Sequence, residues 1–211
     1  MNILQVVKVP DSKLAREITE LVRDTESDLL FNHSSRVFLF AALAGRRRGL
    51  KFEEELLYAG AMFHDMGLTK KYSSKELRFE VDGANAAADF LHSHNISQQE
   101  IDLVWTSIAL HTTIGVPQFM HPNVALVTAG VEMDVVGFKY DDYTDQEIEQ
   151  VTRQFPRSSN FKEEIIQAFY DGFKEKPDST FGTVNADVIA DKEADFKPTN
   201  FCSVIRGSQW Q

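Results

Sequence analysis

Apolar residues return every three or four positions along nearly the whole chain, the period of a helix with one face turned to a core. That period, kept with few interruptions, predicts an all-α, single-domain helical bundle. Asp11 or Ser12 can cap a first helix to about Asp24, and a second covers about His33 to Arg48 and stops at Gly49. A third runs from about Phe52 to Asp65 and ends at Gly67, read as a left-handed residue after the helix. Residues 68–80 read as a loop, after which Asp82 caps an Ala-rich helix to about His94. Ser97 and Glu100 form a capping-box pattern that opens a helix to about His111. A Gly/Pro loop over 112–122 precedes an apolar helix from Asn123 to Val136, ended by Gly137. Two more helices are expected over Thr144 to Phe155 and Ser158 to Lys176. The tail from Pro177 reads as an extended or partly mobile arm. No repeat and no second composition regime appears, so one domain over 1–211 is the simplest division, with helices and arm of residues 141–211 appended to the rest.

Charge and cysteine usage narrow the function classes. A net charge of −10 argues against nucleic acid or an anionic membrane as partner, because both need a positive field. The basic run Arg46, Arg47, Arg48 sits at a helix end, where cations complement the dipole. No apolar stretch is long and unbroken enough to span a membrane. The segment from Met1 to Lys8 lacks a basic start and a small-residue cleavage site, making a poor signal peptide. The single cysteine, Cys202, cannot form an internal disulfide, and a cytoplasmic setting fits. Abundant aromatics leave room for a homo-oligomer surface.

The informative residues are ionisable groups on otherwise apolar faces. Burying an unpaired carboxylate costs on the order of several kcal/mol or more, so such a group needs a cation. The helix around Asp134 is apolar almost all round and carries no Lys or Arg of its own, which makes a metal ion a candidate partner. Asp134 lies one turn after Gly130, and His64 one turn after Gly60. A small residue there is expected to leave room beside the ligand for an ion or substrate. His33 shares a stripe with Val37, Phe40, Ala41 and Ala44. Asp65, adjacent to His64, points about 100° away on a helix, so it either shares an ion off the helix end or orients His64. The pair His92 and His94 cannot share a helix face, although His92 could approach the site from behind. His121 belongs to the loop that opens the next helix.

His33, the doublet His64–Asp65 and Asp134, on successive helices, resemble the HD superfamily of metal-dependent hydrolases, whose namesake is an adjacent His-Asp. The likeness spans about residues 25–140 and includes the stretches 31–37 (FNHSSRV), 61–69 (AMFHDMGLT) and 131–135 (VEMDV). It implies an all-helical bundle and makes His33, His64, Asp65 and Asp134 the metal ligands. Stretches 78–87, 102–112 and 121–127 are similar to the cyanamide hydratase-like subgroup.

Such a donor set, without thiolate, suits one divalent transition metal, zinc favoured, with iron, manganese, nickel or cobalt as alternatives. Water on zinc can have a pKa near about 7, and the resulting hydroxide would attack a small-molecule substrate. Four protein ligands fill a tetrahedral site, so the ion must expand its coordination or hold one ligand loosely. His111, at a helix end before a Gly/Pro loop, is the candidate proton shuttle, and Glu80 is a further candidate catalytic group. Asp134 or Asp65 could also accept the water's proton. The leading expectation is hydration of a nitrile such as cyanamide, giving urea. The alternative is phosphohydrolysis, for which Arg36 and the pair Lys70–Lys71 are the available cations. A catalytically silent binding domain is the third reading.

Overall fold

The protein, seen in a computed structural model that describes residues 7–209, is built from helices joined by turns and longer loops. The start of the segment read as a poor signal peptide, residues 1–6, lies outside the described residues. The helices are α1 (Lys13–Thr25), α2 (Asp28–Arg47), α3 (Glu54–Phe63), α4 (Phe79–Ser93), α5 (Gln98–Ala109), α6 (Pro122–Val136), α7 (Asp145–Gln154), α8 (Phe161–Phe173), α9 (Asn185–Lys192) and α10 (Phe201–Arg206). No strand occurs among the described residues, and no helix there is long and apolar enough to cross a membrane.

Local chemistry sets most boundaries. Ser12 and Ser27 accept hydrogen bonds from Ala15 N–H and Leu30 N–H, 3.0 and 3.3 Å, and so cap α1 and α2. Capping boxes at Ser97 and Thr144 open α5 and α7. Gly137 ends α6 at φ 71°, a left-handed position that costs glycine nothing. Arg46 and Arg47 do lie in the last turn of α2, where they pair with Glu54 and Glu147. His121 caps α6, its Nδ1 accepting from Asn123 N–H.

Several expectations need correction, among them the start of the second helix, which lies at Asp28 under the Ser27 cap rather than near His33. Helix α4 starts at Phe79 rather than after Asp82, because fully buried Phe79 pulls the chain into the core four residues earlier. Asp82 is therefore no cap: it is buried in the first turn and accepts from Lys176 Nζ at 2.6 Å and Ser74 N–H at 2.9 Å. Gly67 is not among the left-handed residues. It lies in a short 3-10 turn, Met66–Leu68, where an added Cβ would stand 1.9 Å from Phe79 O. The tail past Pro177 is not an extended arm throughout, since α9 packs on α8 and buries Ile189 completely.

The centre of the bundle is α2, buried along nearly all its length from Leu30 to Gly45 and flanked by α3 and α6. Backbones approach closely where glycines permit it. A Cβ on Gly130 would lie 2.3 Å from Val37 O of α2, and one on Gly60 would meet Val127 Cγ2 at 3.0 Å. These two glycines thus seat helix on helix; they do not clear space for an ion. On the other side, Gly67 and Gly83 let α4 press against the turn that follows α3. A second apolar cluster, with Phe79, Phe161, Ile165, Phe173 and Ile189, joins α8 and α9 to that turn.

Substitution separates the two uses of glycine. Gly130→Ala should lower the urea midpoint by the equivalent of about 2 kcal/mol or more, as overpacking does. Gly137→Ala, whose Cβ meets nothing within 4 Å, should cost about 1–2 kcal/mol for its left-handed backbone. Equal or reversed losses would contradict the close packing of α2 and α6.

Candidate metal centre

Three side chains converge at the junction of α2 and the end of α3, all fully shielded from solvent: His33, His64 and Asp65. His33 is carried on α2, while His64 and Asp65 follow α3 as the chain turns into the 3-10 segment. That turn answers the geometric difficulty of an adjacent His-Asp pair. His64 keeps helical angles, whereas Asp65 at φ −101°, ψ 2° has left the helix, so both side chains reach one centre. His64 Nε2 lies 3.2 Å from His33 Nε2 and 3.3 Å from Asp65 Oδ2, and His33 Nε2 lies 3.6 Å from Asp65 Oδ2.

Hydrogen bonds elsewhere define the tautomers. His64 Nδ1–H donates to Ala61 O, and His111 Nδ1–H to Ile108 O, each at 2.7 Å. A carbonyl can only accept, so each Nδ1 must carry the proton. His33 Nδ1–H donates to Asp134 Oδ2 at 2.7 Å. In their neutral forms all three rings therefore offer an Nε2 lone pair. His111 Nε2 stands 3.9 Å from Asp65 Oδ1, and its ring meets His64 edge-on at a centroid distance of 4.9 Å.

Neither oxygen of Asp65 has a hydrogen-bond partner. Burial pushes its carboxyl up, but His64, then His33 and His111, more than offset this and hold it at about 2. Burial likewise disfavours a proton on His64, and Asp65 overcomes that and raises its pKa. The charge at Asp65 thus calls for a cation, either a proton on His64 or a metal ion. The donor spacing fits the ion: neighbouring ligands in a tetrahedral shell with bonds of about 2.1 Å stand roughly 3.4 Å apart. Imidazole and carboxylate without thiolate suit a divalent transition metal.

The fourth expected ligand, Asp134, is placed differently. Its Oδ1 accepts from Arg36 Nε at 2.7 Å, and its Oδ2 accepts from Arg36 Nη2 at 2.9 Å and from His33 Nδ1–H. The cation absent from its own helix comes from α2, one turn after His33. Asp134 stands behind His33, an arrangement that orients an imidazole ligand and raises its basicity. Burial raises the Asp134 carboxyl, but His33 and Arg36 outweigh it and hold it at about 2. Arg36 is itself fully buried and also donates to Phe155 O and Pro156 O, so it has no access to a substrate phosphate.

The centre opens into a cavity of about 480 Å³ lined by His64, Asp65, His111 and Thr112 together with residues of α6, α8 and α9. Burial and the neighbouring His64 keep His111 neutral, with its pKa lowered to about 4. Glu80 is buried on α4 and is not part of the lining. It accepts from Arg78, Thr112 and Asn185, so it fixes two lining residues from behind. His92 is exposed at the far end of α4, and Lys70 and Lys71 are exposed away from this cavity. Sequence reasoning missed Asn185 and Glu26. The latter ends α1, where a carboxylate reads as surface. Instead it is buried, bonded to Ser34 Oγ at 3.4 Å, and pushed well up by burial and by the charge of Asp65.

Asp134, held by His33 and Arg36, sets a stability signature. The Asp134 pKa lies below its ordinary 3.8, so between the two values the unfolded chain binds more protons. About 2 kcal/mol of stability is present above pH 4 and lost as pH falls toward 2. Asp134→Asn should remove this component and cost about 3–5 kcal/mol at neutral pH, leaving Arg36 uncompensated. Arg36→Met in that background should recover part of the loss in urea unfolding. Strict additivity of the two losses would show that the pair is not coupled.

Comparison with known proteins agrees with this geometry. The HD domain family model matches residues 30–154, more than half the chain. Cyanamide hydratase DDI2 and cyanamide hydratase DDI3 of Saccharomyces cerevisiae are each 24% identical to it over 156 residues, covering 72% of this chain and 69% of each relative. The chain belongs to the HD domain family of metal-dependent hydrolases.

Proposed function

We propose that this protein is a metal-dependent hydratase that adds water to a small neutral nitrile, with cyanamide as the reference substrate and urea as its product. The observation that carries the reading is the join of a donor cluster to a cavity almost free of cations. His33, His64 and Asp65 would hold the ion, zinc being the first choice, and Asp134 would fix His33 from behind. When bound, the ion supplies Lewis acidity and lowers the pKa of water, for zinc to about 7.

The chain's own residues do the rest. His111 donates its Nδ1–H to Ile108 O, so its Nε2 can only accept; it orients the attacking water and relays a proton toward the substrate nitrogen. Thr112, held by Glu80, adds a hydroxyl at the same end of the cavity. Glu80 acts as a positioning group through Thr112 and Asn185. Addition of water expels no leaving group, so the site needs no further acid on the far side. The relatives named cyanamide hydratase point to the same chemistry.

Phosphohydrolysis has one observation in its favour, Lys162 at the cavity. A phosphate ester needs more cationic contacts than that, and the other candidates are unavailable: Arg36 is committed to Asp134, and Lys70 and Lys71 lie elsewhere.

Elemental analysis of the purified protein should find about one transition metal per chain, lost in His64→Ala and Asp65→Ala together with urea formation from cyanamide. His111→Ala should keep the metal and lower kcat by about 100-fold or more. Phosphate release from monoesters by the metal-loaded protein, without urea formation, would overturn the hydratase reading.

A further inference from the structure

The cavity is far larger than cyanamide requires. A molecule of three heavy atoms occupies roughly 50 Å³, less than two waters at about 30 Å³ each, whereas the cavity measures about 480 Å³. That falls in the range of about 300–1,000 Å³ typical of pockets for drug-sized ligands. Its polarity is divided along its depth. The inner end carries the fully buried His64 and Asp65, with His111, Thr112 and Asn185. The walls are mostly apolar, with Phe79, Val131, Val135, Ile165, Phe169 and Val188 from α4, α6, α8 and α9; Glu132 of α6 and Lys162 of α8 are the charged residues among them. At the mouth, Ile114, Val136 and Val184 line the cavity while remaining 77%, 72% and 39% exposed. The apolar part of this wall gives cyanamide nothing to bind, and apolar side chains grouped in water at a cavity mouth mark a binding surface.

We infer that the site takes a neutral nitrile with an apolar body of about four to eight carbons, its nitrile group at the inner polar end and its alkyl or aryl part against the walls. The inference rests on the hydratase reading for the reacting group alone; the apolar body follows from the cavity. The reaction balances without a further reactant: R–C≡N and water give R–C(=O)NH2. The carbon–oxygen double bond forms as both π bonds between carbon and nitrogen break, and the two protons leave the water oxygen for nitrogen. Nothing leaves and nothing is oxidised.

Each methylene buried against such walls should raise kcat/KM about fourfold. The test uses the metal-loaded full chain with a series from cyanamide and acetonitrile to hexanenitrile, plus benzonitrile, with urea or amide formation followed by mass spectrometry. In parallel, calorimetry follows binding of the matching amides, from acetamide to hexanamide. Affinity and kcat/KM should climb together with chain length. Val188→Phe and Ile166→Phe, which fill the cavity from half-buried wall positions, should flatten both slopes, and concordance of the two variants guards against a folding defect in either. Cyanamide hydrated best, with no rise along the series, would overturn the apolar-body proposal and leave the hydratase reading intact. Amide binding that climbs with length, with no nitrile hydrated, would uphold the apolar occupant and overturn the hydratase reading.

Discussion

An ionised carboxylate at the centre of a helical bundle, with no hydrogen-bond donor to either oxygen, is a charge the fold can keep only by facing a cation. Asp65 is that group. The features around it follow from the demand. His33 and His64 bring Nε2 atoms within 3.6 Å of it while their Nδ1–H groups are fixed on Asp134 and Ala61. The convergence depends on close helix packing. Gly130 lets α6 reach the backbone of α2, which sets Asp134 behind His33. Gly67 and Gly83 clamp the turn from which Asp65 projects. The desolvation cost of the centre is therefore distributed over a scaffold whose backbone contacts leave it little freedom to relax.

Much of this was legible in the sequence, for reasons that can be named. Helical periodicity and caps placed most elements, since Ser12, Ser97, Thr144 and Gly137 act through local backbone chemistry. His33, His64 and Asp65 stood out because ionisable groups on apolar faces are costly. What was misread depended on neighbours distant in sequence. Asp134 called for a cation that its own helix lacks, and the answer lay on α2 in Arg36, 98 positions away. Gly60 and Gly130 looked like space for a ligand, yet they face other helices. Glu26 gave no signal at all, because nothing local says that α2 and the Asp65 centre cover it. The wall formed by α9 had no signal in the chain's periodicity, for a helix of eight residues shows barely two turns.

The C-terminal third completes the site. The centre alone would be a polar cluster at a helix junction; α8 and α9 turn it into the end of a closed-sided cavity. Two buried contacts hold that wall in place, Lys176 to Asp82 at 2.6 Å and Asn185 to Glu80 at 3.0 Å. Glu80 thus links the wall to Thr112, the residue next to His111. In the proposed reaction a polar inner end and largely apolar walls would separate two tasks, activation of water and retention of an uncharged substrate. The shortage of cations in the lining disfavours phosphate on the same physical ground.

The most direct test is nitrogen-15 NMR of the six histidine side chains during titration of the metal-free protein with zinc. A metal held as described requires that His33 and His64 carry the proton on Nδ1, and that their Nε2 resonances move to metal-bound values at about one equivalent. The exposed His92 should stay unchanged. An Nε2–H tautomer for either ring in the zinc-loaded protein, or Nε2 resonances indifferent to zinc, would contradict a metal centre on these residues.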